Sequence, residues 1–162
     1  MIFAIDPGPK QSGWVQFSGG RVVDCGVDGN DILLRMVQDA ERGALAIEMI
    51  ASYGMAVGRE VFETCVWVGR FQQAWRAPDD VRLVYRQEVK LGLCQSPRAK
   101  DANIRQALID RFGEVGTKRN PGPLFGISQH RWAALAVAVT AFDLPATDHE
   151  ARFHLPEREP AA

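Results

Sequence analysis

This chain has little of what marks secreted and membrane proteins. Its three cysteines, Cys25, Cys65 and Cys94, are odd in number and show no C-x-x-C spacing. That excludes a disulfide framework and a structural zinc site, and leaves reduced thiols used for packing. No apolar stretch near Met1 follows a basic segment, and the longest apolar run toward the C-terminus, Ala133 to Val139, falls far below the roughly 20 residues that span a bilayer. A soluble, unexported, cytoplasmic protein with no membrane partner is expected. There is no internal repeat, and 162 residues allow one domain with a substantial core but not two large ones. The expected division is a domain over residues 1–144 and a poorly ordered tail over 145–162.

The formal net charge of −1 is small, but its distribution is uneven. Residues 82–119 carry nine basic and four acidic residues, a balance of +5, whereas residues 1–81 carry seven basic and eleven acidic residues, a balance of −4. A polyanion bound along the later half, with its reactive group held at an acidic, metal-neutralised site, would use both halves. An ordinary solvated surface has the same composition.

Two carboxylates stand out. Asp6 closes the apolar run Met1 to Ile5 and precedes Pro7-Gly8, and Glu48 closes Ala44 to Ile47. Short apolar runs of this kind read as buried strands. Neighbouring strands lie about 4.8 Å apart, so pairing of these two would bring both carboxylates within reach of one divalent ion. A turn aspartate is the bland reading of Asp6; an acid after three buried residues, as at Glu48, is harder to leave unpaired.

The rest of the pattern is α/β. Strands over Ile2 to Ile5, Gly13 to Phe17 and Arg21 to Val27 form an antiparallel meander turned at Ser18-Gly19-Gly20. A helix capped by Asn30 or Asp31 runs to about Arg42 with Ile32, Leu33, Met36 and Val37 on one face. After the strand ending at Glu48 comes a helix from about Glu60 to Trp75, a fifth strand at Arg82 to Tyr85, and a helix over Lys100 to Phe112. A last helix, capped by Ser128, runs to about Phe142. Three strands followed by alternating strands and helices predict one mixed five-stranded sheet flanked by helices, the element order of the ribonuclease H-like fold.

Five segments, in order, carry a more specific resemblance. They are Ile5-Asp6-Pro7-Gly8 with Ser12-Gly13-Trp14; Leu45-Ala46-Ile47-Glu48; Tyr85-Arg86-Gln87-Glu88-Val89-Lys90; Ala99-Lys100-Asp101; and His130 through Ala136. Over about residues 1–142 the chain resembles the RuvC family of Holliday-junction resolvases, particularly its smaller phage-borne relatives. The resemblance implies a homodimer that binds four-way DNA junctions and nicks two strands with Mg²⁺ or Mn²⁺, in a two-metal site, in the cytoplasm of a bacterial host if the chain is phage-encoded. It also implies metal ligation by Asp6, Glu48 and His130. A fourth ligand, aspartate in the family, falls on Ala133, whose methyl can ligate nothing. A weaker second site, substitution by another acid such as Asp101, or an impaired enzyme are the alternatives this leaves.

Arg86, Lys90, Arg98, Lys100 and Arg105 are the candidate phosphate contacts, which would position DNA without reading its sequence. Lys100 could also stabilise charge building on the scissile phosphate, and Tyr53 could stack on a base unpaired at the crossover. The leading functional reading is a structure-selective DNA endonuclease acting on four-way junctions, with other branched DNA left open as a substrate. The alternative is a catalytically impaired protein that binds branched DNA. An actin-like ATPase, which shares the first motif, needs a second lobe for which the length leaves no room.

Overall fold

The computed structural model describes residues 1–52 and 54–144. Tyr53 and the expected tail from Pro145 onward lie outside the described residues. Strands β1 (Ile2–Asp6), β2 (Gln11–Ser18) and β3 (Arg21–Gly29) form the expected meander. Its β2–β3 turn places Gly19 and Gly20 at φ 58° and 77°, the left-handed pair that a two-residue hairpin requires and that glycine adopts without steric penalty. Helix α1 (Asn30–Asp39) leads to β4 (Ala44–Met49) and α2 (Arg59–Ala74). A short 3-10 turn at Pro78–Asp80 precedes β5 (Arg82–Tyr85), and helices α3 (Arg86–Cys94), α4 (Asp101–Phe112) and α5 (His130–Asp143) complete the chain.

The sheet order is β3-β2-β1-β4-β5, with β1 parallel to β4 and β4 parallel to β5. This is the mixed five-stranded α/β sheet that the element order predicted. Successive strand residues point to opposite faces, and the two faces are covered differently. Phe3 and Ile5 of β1 and Leu45 and Ile47 of β4 pack with Leu33, Val37, Val68, Phe71 and Trp75 of the α1–α2 layer. Ala4, Ala46, Val15, Phe17 and Val84 pack with Val89, Ile104, Leu108 and the buried run Ala134 to Val139 of the opposite layer. Helix α5 is buried nearly all round, from Ala134 through Thr140, which is why its sequence lacks an amphipathic period. Each large side chain buried this way contributes about 1.5–3 kcal/mol.

Three local expectations are corrected. Helix α3 was not foreseen: Arg86 to Cys94 fully buries only Val89, with Leu93 and Cys94 half-buried against the same core, so its apolar stripe is little more than one turn long. Ile32, placed on the core face of α1, is 56% exposed, because the buried stripe is as narrow as Leu33 and Val37, and the helix ends at Asp39 rather than near Arg42. Ser128 is not the cap of α5. The helix starts at His130, and the Ser128 carbonyl accepts from the Arg131 N–H at 3.0 Å.

Candidate active site

Strand register sets the distance between the two acids. The β1–β4 pairing runs from Ile2–Ala44 to Ile5–Ile47, one residue before Asp6 and Glu48, so both carboxylates leave the sheet at the same end of adjacent central strands. A closed hydrogen-bond circuit fixes the turn just past Asp6. The Gly8 N–H donates to Ser12 Oγ (3.2 Å), Ser12 Oγ–H donates to Asn30 Oδ1 (2.6 Å), and Asn30 Nδ2 donates to the Gly8 carbonyl (2.8 Å). Ser12 and Asn30 are buried, and satisfying them pins where β1 stops. No sequence signal pointed to this role for Asn30, which reads as a helix cap.

Three helix starts complete the site. Arg86 opens α3, Asp101 opens α4 and His130 opens α5, and all three line one open cavity of about 560 Å³ with Asp6, Glu48 and Arg105. Helix N-termini carry partial positive charge, so this rim suits an anion. His130 reaches the site because β2 lies close to α5: a Cβ on Gly13 would come within 2.7 Å of the His130 backbone. The residue before it, Gln129, holds φ 46° and ψ −126°, a backbone conformation that side-chain-bearing residues rarely adopt. Strain of this kind costs on the order of 1–3 kcal/mol and concentrates at functional sites.

The acids are coupled. Burial pushes the Asp6 carboxyl up to about 6, against the lowering effects of its hydrogen bond with Glu48 and of Arg86. Burial, then repulsion from Asp6, pushes Glu48 up to about 8. Two carboxylates share a desolvated corner, and near neutrality Glu48 keeps the proton that it donates to Asp6. His130 Nδ1 lies 3.0 Å from Asp6 Oδ2, which for a neutral ring with Nδ1–H donating leaves Nε2 as the acceptor nitrogen. On the other side Arg86 Nη1 lies 3.4 Å from Glu48 Oε1, and its Nη2 pairs with Asp101 Oδ1.

Of the residues expected to act together, the structure gathers Asp6, Glu48, His130, Arg86 and Arg105 around one cavity. Lys90 lines a smaller neighbouring cavity of about 200 Å³ with Arg86, Gln87 and Pro97. Arg98 and Lys100 are exposed and line neither cavity. Tyr53 lies outside the described residues. Sequence reasoning missed Trp132 and Gln129, both in the cavity wall; the Arg105 guanidinium stacks on the Trp132 ring at 4.8 Å, a contact between α4 and α5 with no local sequence signal. Ala133 also lines the cavity, at the position where an acid was expected.

Among the described residues, no three His, Cys, Asp or Glu side chains form a ready metal-ligand cluster. His130 is hydrogen-bonded to Asp6, and Glu48 to Asp6 and Arg86, so these donors are spent on one another. The chemistry of the donor set nevertheless fits a hard divalent ion, since such a cation would relieve two desolvated carboxylates forced together. Among the described residues no helix is long and apolar enough to cross a membrane.

No family model and no curated relative matches the sequence. Solved structures do. The fold is similar to that of Thermus thermophilus RuvC, with a TM-score of 0.61 at 19% identity over 86% of this chain and 91% of that one. T. thermophilus RuvC in complex with a Holliday junction substrate matches with the same TM-score and identity, over 86% of this chain and 90% of that one. The chain therefore has the ribonuclease H-like fold, a mixed five-stranded α/β sheet flanked by helices.

Proposed function

We propose that this protein is a structure-selective, metal-dependent DNA endonuclease that nicks four-way junctions. The observation that carries the reading is the desolvated Asp6–Glu48 pair at the end of two parallel central strands, with His130 against Asp6 and cationic side chains around the same cavity. The RuvC-like fold, seen in a structure that holds a Holliday junction, supports the substrate class.

In this reading Asp6, Glu48 and His130 hold Mg²⁺ or Mn²⁺. The bound ion would activate water and stabilise the leaving oxygen in phosphodiester hydrolysis. The chain's own residues do the rest. Burial of Asp6 and Glu48 keeps bulk water from competing for their oxygens, and the 3.0 Å contact with Asp6 orients the His130 ring. Arg105, stacked on Trp132, offers its remaining N–H donors to a phosphate at the cavity mouth. Lys90, Arg98 and Lys100 extend the basic surface as backbone contacts, which add affinity without sequence preference. Lys100, immediately before Asp101 of the cavity wall, is also the candidate to stabilise charge building on the scissile phosphate.

One observation favours a second reading, binding without cleavage: Ala133 stands in the cavity wall and the donors form no closed ligand set. Incubating a synthetic four-way junction with the protein and Mn²⁺ separates the two. Paired nicks support the nuclease, and a shifted but intact junction supports the binder.

Resolution of a two-fold junction needs two symmetric nicks, hence two sites, so we further propose a homodimer. Helix α2 offers the face. Its Thr64, Val68 and Phe71 are buried, whereas Phe62 and Val66, one turn apart, are each 61% exposed, and a Cβ on Gly69 would meet open space. Exposed apolar residues at this spacing suit a second copy of the same helix. Phe62→Glu is expected to shift sedimentation from dimer to monomer at micromolar concentration while leaving the melting temperature within a few degrees. Monomeric wild type, with and without DNA, would remove the dimer.

A further inference from the structure

Arg86 occupies a position that the proposed metal reading leaves unexplained. It is the first residue of α3, directly after β5, whose pairing with β4 sets Glu48 opposite Val84 and Met49 opposite Tyr85. That register places the guanidinium in the wall of the acidic cavity, beside Glu48 and Asp101. One nitrogen faces Glu48 at 3.4 Å, another pairs with Asp101, and the side chain is only 27% exposed. Arginine stays charged in proteins, and its planar fork suits two carboxylates at once.

Charge within the cavity can be counted. Asp6, Glu48 and Asp101 supply three negative charges once ionised, and Arg86 supplies one positive charge in contact with two of them. His130, against Asp6, adds none when neutral. Arg105 lines the same cavity, and its stacking on Trp132 leaves its positive charge in place, so it supplies a second cation. Three negative against two positive charges leave −1, which one divalent ion already more than offsets, so a second would enter a cavity of net positive charge. A second divalent ion would face a fixed guanidinium already holding Glu48 and Asp101, and Ala133 in the wall offers it no oxygen.

We infer that Arg86 is a built-in cation that takes the place of a second divalent ion, so that each protomer binds one metal ion rather than two. The inference rests on the reading of Asp6, Glu48 and His130 as metal ligands. It makes Arg86 a positioning residue for those carboxylates as well as a determinant of metal stoichiometry. The arrangement differs from the two-ion expectation that the sequence resemblance raised.

The test counts bound Mn²⁺, with no DNA present, by electron paramagnetic resonance of the free ion and by isothermal titration calorimetry on the full chain. Wild type is expected to bind one Mn²⁺ per protomer up to millimolar concentration. Arg86→Met, which keeps side-chain bulk and removes the charge, should bind two, the second with affinity raised at least about tenfold. Arg86→Lys, which keeps the charge, should stay at one. Arg86→Gln serves as a second neutral variant if Arg86→Met fails to fold, and a circular-dichroism melt confirms folding of each. Two ions on wild type, or one ion on every folded neutral variant, would overturn the inference while leaving the metal site standing. No Mn²⁺ bound to wild type would remove the metal reading itself, and the inference with it.

Discussion

Asp6→Asn and Glu48→Gln are each expected to lower single-turnover nicking of a synthetic four-way junction by about a thousandfold or more, which corresponds to roughly 4 kcal/mol of lost transition-state stabilisation. Each change removes an anionic oxygen donor at the point where the two central strands end, and none of the basic side chains. Junction affinity should therefore change little, and should fall steeply with added salt in wild type and variants alike, because counterion release from phosphates supplies it. Gel-shift titrations at two salt concentrations, run beside the cleavage time courses, check both halves. Full-rate nicking by both variants would remove these acids from the site.

A second large effect is expected on stability, in the opposite direction. Glu48 is pushed up to about 8 from an ordinary value of 4.5, and Asp6 up to about 6 from 3.8, chiefly by burial. As pH rises from 3.8 to about 8 the unfolded chain releases these protons before the folded one does, so stability without metal falls across that window and levels off above it. Glu48→Gln retains a donor for Asp6 and cannot ionise. At pH 8, in chelator, it should be more stable than wild type by on the order of 2 kcal/mol, or roughly 5 °C in melting temperature for a chain of this size. Adding Mn²⁺ should raise the wild-type melting temperature and leave the variant nearly unmoved, reversing their order. A variant that melts below wild type in chelator would show that Glu48 is stabilising in its own right. Function here would then not be built against stability, as it is in many active sites.

The parts of this fold that the sequence disclosed are those fixed by local pattern. Apolar runs ending in Asp6 and Glu48 gave both the strands and the acids. The Gly19-Gly20 turn gave the hairpin, and three strands followed by alternating elements gave the mixed sheet. What stayed hidden depends on contacts between distant segments. The Asp6–His130 contact joins residues 124 apart, the Arg105–Trp132 stack bridges two helices, and Arg86 meets Glu48 only because β5 pairs with β4. Helix α3 escaped notice because its apolar stripe, Val89 with the half-buried Leu93 and Cys94, spans little more than one turn. Helix α5 was legible as a helix, but its start was misplaced by one residue, because Ser128 looks like a cap whereas the strained Gln129 holds that position. Ile32 matched the helical period and still faces outward, since α1 presses only a narrow face against the sheet and α2.

The central claim is that the Asp6–Glu48–His130 corner is a metal-dependent nuclease site for branched DNA, and single-turnover cleavage of an end-labelled four-way junction tests it most directly. Wild-type protein would be assayed in chelator, in Mg²⁺ and in Mn²⁺, beside a linear duplex of the same sequence. The account predicts no nicking in chelator, symmetric paired nicks in either ion, and little cleavage of the duplex. Mn²⁺ should be the more effective ion, because an imidazole ligand suits it better than Mg²⁺. An intact junction under all three conditions, bound tightly throughout, would contradict the account and leave a branched-DNA binding protein in its place.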